Sequence, residues 1–77
     1  MHRVVLYSRP GCHLCDVARQ TILVLRERVP FGFEEVDIET DRELELEYGI
    51  RVPVVAVDGE EAFEVTVDEL ELARLLG

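Results

Sequence analysis

Arg3-Val4-Val5-Leu6-Tyr7-Ser8-Arg9-Pro10-Gly11-Cys12-His13-Leu14-Cys15 holds a strand, a chain break and a pair of thiols in one short stretch. Arg3 to Ser8 reads as a strand. Its β-rich centre lacks alternation, as expected of a central strand covered on both faces. Arg9-Pro10-Gly11 then breaks the pattern. A helix is expected from about Cys12 to Arg28, with Leu14, Val17, Ala18, Ile22 and Leu25 as its buried stripe and Arg19, Arg26 and Arg28 available to the other face. The two cysteines therefore stand at a helix start, where backbone N–H groups lack partners and the dipole favours negative charge. An ionised sulfur on Cys12 would be stabilised there. Cys15, one turn on, would be the buried, protonated partner.

Working outward, Phe33 to Ile38 reads as a second strand, and its charges Glu34, Glu35 and Asp37 suit a sheet edge. Strand, helix and strand in sequence imply parallel pairing by a right-handed crossover. Thr40 with Glu43 is a capping-box pattern for a short helix from about Asp41 to Tyr48, which Gly49 would end in a left-handed cap with Ile50 in apolar contact. Val52 to Val57 reads as a third strand, Asp58-Gly59 as a hairpin turn, and Glu61 to Val65 as the returning strand. Thr66 with Glu69 forms a second capping box, with Val65 and Leu70 as its staple. The last helix, about Val67 to Leu76, would place Leu70, Ala73 and Leu76 on the core. The order is β-α-β-α-β-β-α, and it predicts an α/β fold: one domain over residues 1–77, with a four-stranded mixed sheet flanked by helices.

Bulk properties narrow the function. The chain has 77 residues, 48% of them hydrophobic, and a net charge of −9. So acidic a chain lacks the basic patch of a nucleic-acid binder, and its charge suits a basic partner surface. No apolar run approaches bilayer length, and the N-terminus turns polar by Ser8, too soon for a secretory signal. A soluble cytoplasmic protein, in monomeric form, is expected. In such a setting Cys12 and Cys15 are catalytic or metal-binding rather than structural. Structural zinc wants four ligands, and His2 and His13 are the only other Cys or His residues, so an intrachain metal site is disfavoured. His13 either adds positive charge near the thiolate or is an exposed helix-start residue of no consequence.

Tyr7-Ser8-Arg9-Pro10-Gly11-Cys12-His13-Leu14-Cys15 resembles the active-site segment of glutaredoxins, and Tyr48-Gly49-Ile50-Arg51-Val52-Pro53 resembles the thioredoxin-superfamily segment that ends in a cis-proline. Together they cover nearly the whole chain in the expected order. The resemblance implies a thioredoxin-like fold and a thiol–disulfide oxidoreductase. It implies Cys12 as nucleophile, Cys15 as resolving thiol, and Pro53 as the cis-proline that leaves the Val52 backbone to pair with an extended thiol substrate. Arg9 falls where glutaredoxins carry a lysine, and it would assist the thiolate or a glutathione carboxylate, or be a solvated loop charge. Arg51 is open in the same way. Substrates would be disulfide-bearing proteins or small thiols, with a reductase or glutathione as electron donor and no required cofactor.

The sequence departs from the family at His13-Leu14, where glutaredoxins have Pro-Tyr. It departs again at Phe63 to Asp68, where their Gly-Gly-Asp for glutathione is replaced. Asp68 would then stand in for the family's aspartate at the helix start, where Thr66 and backbone N–H groups would be left to hold a carboxylate. A thiolate-held iron–sulfur cluster or metal carrier, or a redox-inert binding module, are the alternative functions.

Overall fold

The computed structural model describes residues 1–77. β1 (Arg3–Ser8) leads to α1 (His13–Arg26), β2 (Gly32–Asp37), a 3-10 turn at Ile38–Thr40, α2 (Arg42–Tyr48), β3 (Val54–Val57), β4 (Glu60–Glu64) and α3 (Glu69–Leu76). The sheet order is β2-β1-β3-β4. β1 pairs with β2 in parallel and with β3 antiparallel, and β4 returns antiparallel to β3 with an irregularity between Val55 and Ala56. The mixed four-stranded sheet and the element order match the expectation. Asp58 and Gly59 both take positive φ, 53° and 88°, as a tight hairpin turn requires.

Alternation on β1 explains the core. Val4, Leu6 and Ser8 are buried, while Val5 and Tyr7 on the opposite face are half-buried. Val4 and Leu6 pack with Val55, with Ala18, Ile22 and Leu25 of α1, with Phe31, and with Leu72 and Leu76 of α3. On the other face Tyr48 of α2 lies over Tyr7, ring centroids 4.3 Å apart and stacked.

Several local expectations are corrected. The buried stripe of α1 is Cys15, Ala18, Ile22 and Leu25, whereas Leu14 and Val17 are exposed. Starting at His13, the helix turns Cys15 inward, and Leu14 and Val17, one and two residues away, must face out. On α3, Leu72 and Leu76 are buried and Leu70 is 82% exposed. Leu70 precedes the stripe by half a turn, so the Val65–Leu70 staple does not form.

Neither threonine is a cap. Asp41 accepts from the Glu43 N–H, and Asp68 accepts from Leu70 and Glu71. Thr40 Oγ1 donates instead to the Asp37 carbonyl. In both places an aspartate just beyond the threonine prevails, because its charge suits the positive helix end. Gly49 is right-handed (φ −47°, ψ −47°) and Ile50 is 100% exposed, so the left-handed cap and its apolar contact are absent.

Candidate functional site at the start of the first helix

The loop after β1 delivers the dithiol. Gly11 takes φ +76°, which a side chain would resist, and the chain then turns into α1 with Cys12 at the N-cap. Cys12 occupies the place usually held by a serine or aspartate. Its sulfur accepts the Cys15 N–H at 3.1 Å. Both cysteines are free thiols, Cys12 half-buried and Cys15 fully buried. Burial, reinforced by a hydrogen bond with Cys12, pushes the Cys15 thiol up to about 11, against a hydrogen bond from the Arg9 backbone. One sulfur thus lies at the surface on a helix N-terminus, and the other is held protonated beneath it.

The cis-proline segment meets this loop from β3. The Val52–Pro53 bond is cis. The antiparallel register pairs Tyr7 with Val54, so the next level along brings Ser8 beside Pro53. Pro53 is buried, and its carbonyl accepts the Val65 N–H at 2.7 Å. Val52 lies before the strand, and its own N–H and C=O bond to no other group of the chain. An unpaired peptide unit in this position can accept an extended segment as an added strand.

The other candidates separate. His13 is exposed and its side chain makes no hydrogen bond. Arg51 is already occupied. Its Nη1 meets Glu61 at 2.8 Å and Glu64 at 3.2 Å, its Nη2 meets Glu47 at 3.4 Å, and its guanidinium lies 5.2 Å from the Tyr48 ring centroid. Asp68 is committed to capping α3, and Thr66 is exposed with its N–H on the Glu64 carbonyl. Arg9 differs from Arg51 in having no carboxylate partner, and its Nε is buried without a hydrogen bond.

The sequence reading missed a polar group behind the cysteines. Glu35 on β2 stands level with Leu6, hence on the α1 side of the sheet. Arg19 binds both its oxygens, Nε to Oε1 at 2.7 Å and Nη2 to Oε2 at 2.5 Å, and Ser8 Oγ donates to Oε2 at 2.7 Å. Arg19 also reaches Asp16 at 2.8 Å. These contacts hold the Glu35 carboxyl below its ordinary value, the Arg19 bonds first and Ser8 adding to them against partial burial. Helical spacing was the available signal: Arg19 is four residues after Cys15 and shares its face.

Against this geometry the comparisons with known proteins are specific. The family model of the glutaredoxin-like domain (DUF836) matches residues 3–77. The chain belongs to the glutaredoxin-like domain family. A "Probable Thioredoxin" of Methanothermobacter thermautotrophicus is 31% identical over 83 residues, covering 88% of this chain and 95% of that protein. Among solved structures, protein Ne2328 of Nitrosomonas europaea superposes with a TM-score of 0.85 at 28% identity, covering 99% of this chain and 92% of the other. Protein XcR50 of X. campestris gives 0.75 at 38% identity, covering 95% and 93%. This glutaredoxin-like domain is a thioredoxin-superfamily protein with a thioredoxin-like fold, and its family points to thiol redox chemistry. No helix is long and apolar enough to cross a membrane.

Proposed function

We propose that this glutaredoxin-like protein is a dithiol oxidoreductase that reduces or exchanges protein disulfides through a mixed disulfide on Cys12. The observation that carries the reading is the asymmetry of the two sulfurs. Cys12 caps the helix and accepts the Cys15 N–H, while Cys15 lies fully buried behind it with its proton held. In the first step the Cys12 thiolate attacks a target disulfide. A Cys12–target bond forms, the target S–S bond breaks, and the departing target thiolate takes a proton. In the second step Cys15 loses its proton and attacks the Cys12 sulfur. The internal disulfide forms and the second target thiolate leaves and is protonated. The target gains two electrons and two protons; the two sulfurs supply the electrons, Cys15 releases one proton, and solvent supplies the other.

Val52 supports an extended peptide as substrate, since its backbone groups are free beside the loop. The arrangement favours a protein disulfide over glutathione. Arg51 is engaged by Glu61 and Glu64, and the backbone N–H groups of Leu70 and Glu71 at the start of α3 are taken by Asp68. A reductase or a thiol pool regenerates the dithiol, no resident cofactor takes part, and the reducing cytoplasm suits the cycle. The monomer suffices for it.

The test is a redox titration read by mass. Oxidation should remove two hydrogens from the intact chain, and Cys15→Ser should accumulate a covalent adduct on Cys12 with a disulfide-bearing protein. A chain that never forms the internal disulfide, or a Cys15→Ser form that traps nothing, would overturn the proposal. A brown dimer with visible absorbance from anaerobic preparation would replace it with the cluster-carrier reading.

A further inference from the structure

We propose that Arg19, clamped by Glu35, supplies the fixed positive charge that lets Cys15 ionise in the second step, with Glu35 as the positioning residue for Arg19. The inference rests on the dithiol cycle above and assigns a role that the two cysteines leave open.

The difficulty it addresses is physical. Cys15 must become a thiolate to displace the target, yet it is fully buried. Burial penalises the charged form. Something must compensate at the moment of ionisation without opening the core.

The charged groups around this end of the sheet are few. From α1 and its cap come Cys12, the exposed His13, Asp16 and Arg19; from the loop, Arg9; and from β2, Glu35 and Asp37. β3 presents Pro53, Val54 and Val55, which do not titrate. Asp16 is largely solvated, and Asp37 Oδ1 is bound to the Glu39 N–H. Arg19 is one turn beyond Cys15 on the same helix face, its side chain 30% exposed. Arginine keeps its charge at any pH the protein meets.

The clamp fixes where that charge sits. Two bonds from Arg19 meet one carboxylate, whose far side is held by the buried Ser8 hydroxyl. A planar guanidinium held at both nitrogens cannot swing out to solvent as a free arginine would. Ser8, Arg9, Pro10, Arg19, Glu35 and Asp37 line a polar cleft of about 410 Å³ on this side. The Arg9 backbone bonds Cys15, so the thiol is linked to one wall of the cleft. When Cys15 gives its proton to solvent base, the new negative charge is met by a cation already in place, at no cost of reorganisation.

Loss of Arg19 has two effects of the same sign. The cation disappears, and Glu35 becomes an uncompensated anion near the forming thiolate. Both disfavour ionisation.

The experiment is single-turnover reaction of the reduced full chain with dithiobis-nitrobenzoate, followed by aromatic thiolate release across pH. The first release reports Cys12 attack and the second reports resolution by Cys15. In Arg19→Gln the pH profile of the second release should move up by about half to one unit, slowing it about three- to tenfold at fixed neutral pH. The first release should change by less than about twofold. Arg19→Lys, which keeps the charge, should restore most of the profile. Arg19→Gln/Glu35→Gln, which also removes the stranded anion, should recover part of it.

An unshifted second profile in Arg19→Gln, or an Arg19→Lys profile as displaced as that of Arg19→Gln, would overturn the inference while leaving the dithiol cycle intact. Should Arg19→Gln fail to fold, Arg19→Lys and Glu35→Gln carry the test. Glu35→Gln frees Arg19 and also removes an anion, so salt reads the clamp: a second release no more salt-sensitive in Glu35→Gln than in wild type would then refute it. A wild-type chain that releases only one aromatic thiolate would instead refute the cycle itself.

Discussion

Replacing Gly49 with alanine sets two effects against each other. Gly49 lies at φ −47°, ψ −47°, a conformation any residue adopts. On backbone entropy alone, Gly49→Ala should therefore stabilise the fold by about 0.4–1 kcal/mol. Space argues the other way. A Cβ on Gly49 would stand 2.5 Å from the Glu45 carbonyl oxygen and 3.3 Å from Arg9 Nη2. The Glu45 oxygen cannot retreat freely, because it already accepts the Gly49 N–H at 2.9 Å. Relieving the contact means loosening the last turn of α2, which carries Tyr48 and hence its stack on Tyr7. Overpacking of this kind costs about 1–3 kcal/mol. The net expectation is a loss of about 1–2 kcal/mol, or a fall in Tm of about 5–15 °C for a domain of this size. Urea and thermal unfolding of wild type and variant measure it directly. Gly59→Ala is the control: nothing lies within 4 Å of its Cβ position, and its φ of +88° alone sets the cost. A Gly49→Ala chain as stable as wild type, or more so, would show that the turn has room and that the close approach does not hold the loop.

Three further outcomes follow from the same geometry. The folded Glu35 carboxyl lies below its ordinary 4.5, so its contribution is full above that value and is lost as pH falls through the folded one; Glu35→Gln should cost about 1–2 kcal/mol at neutral pH and flatten the acid limb of a stability–pH curve below 4.5. With a net charge of −9 the protein should reduce a disulfide peptide flanked by arginines about five- to tenfold faster than one flanked by glutamates at low salt, the ratio falling towards one near 1 M salt in a steady-state assay. Leu72→Ala should cost about 2–4 kcal/mol in urea unfolding, while Leu70→Ser stays within about 0.5 kcal/mol, because Leu72 is fully buried and Leu70 is 82% exposed.

The sequence disclosed what local chemistry controls. β1, the hairpin at Asp58-Gly59 and the placement of Cys12 at a helix start follow from residues adjacent in the chain, and so does the edge position of β2. The phase of the helices followed only in part: Ala18, Ile22, Leu25 and Leu76 are buried as expected, but Leu14, Val17 and Leu70 are exposed, because apolar residues lie on more than one face of α1 and α3. Only the packing of α1 and α3 under the sheet selects Cys15, Ala18, Ile22 and Leu25, or Leu72 and Leu76, from among them. The caps failed for a related reason. Threonine and aspartate lie within two residues of each other at both helix starts, and the choice between them depends on where the preceding turn ends. Glu35 was read as a solvated edge charge because its partner Arg19 is distant in the chain. The β1–β2 register that brings Glu35 under α1 becomes visible only once the sheet is formed.

The two arginines flanking the dithiol show how far residue type alone can mislead. By sequence Arg9 and Arg51 are both candidates for contacting substrate, Arg9 through a carboxylate. In the fold Arg51 is surrounded by Glu47, Glu61 and Glu64, so three carboxylates share one cation and the cluster is anionic on balance. An incoming anion would have to displace an existing carboxylate there and would meet two more. Arg9 has no such partner, and its Nε is left without a bond. An anionic substrate thus finds a single open cation by the loop and a repelling rim beyond it. A cationic peptide is attracted by the same rim and can still pair with the free backbone of Val52. Under the proposed dithiol cycle, the electrostatics and the open peptide unit argue for the same kind of substrate, an extended protein segment with positive flanks to its disulfide, and the arginine- and glutamate-flanked peptides test that expectation.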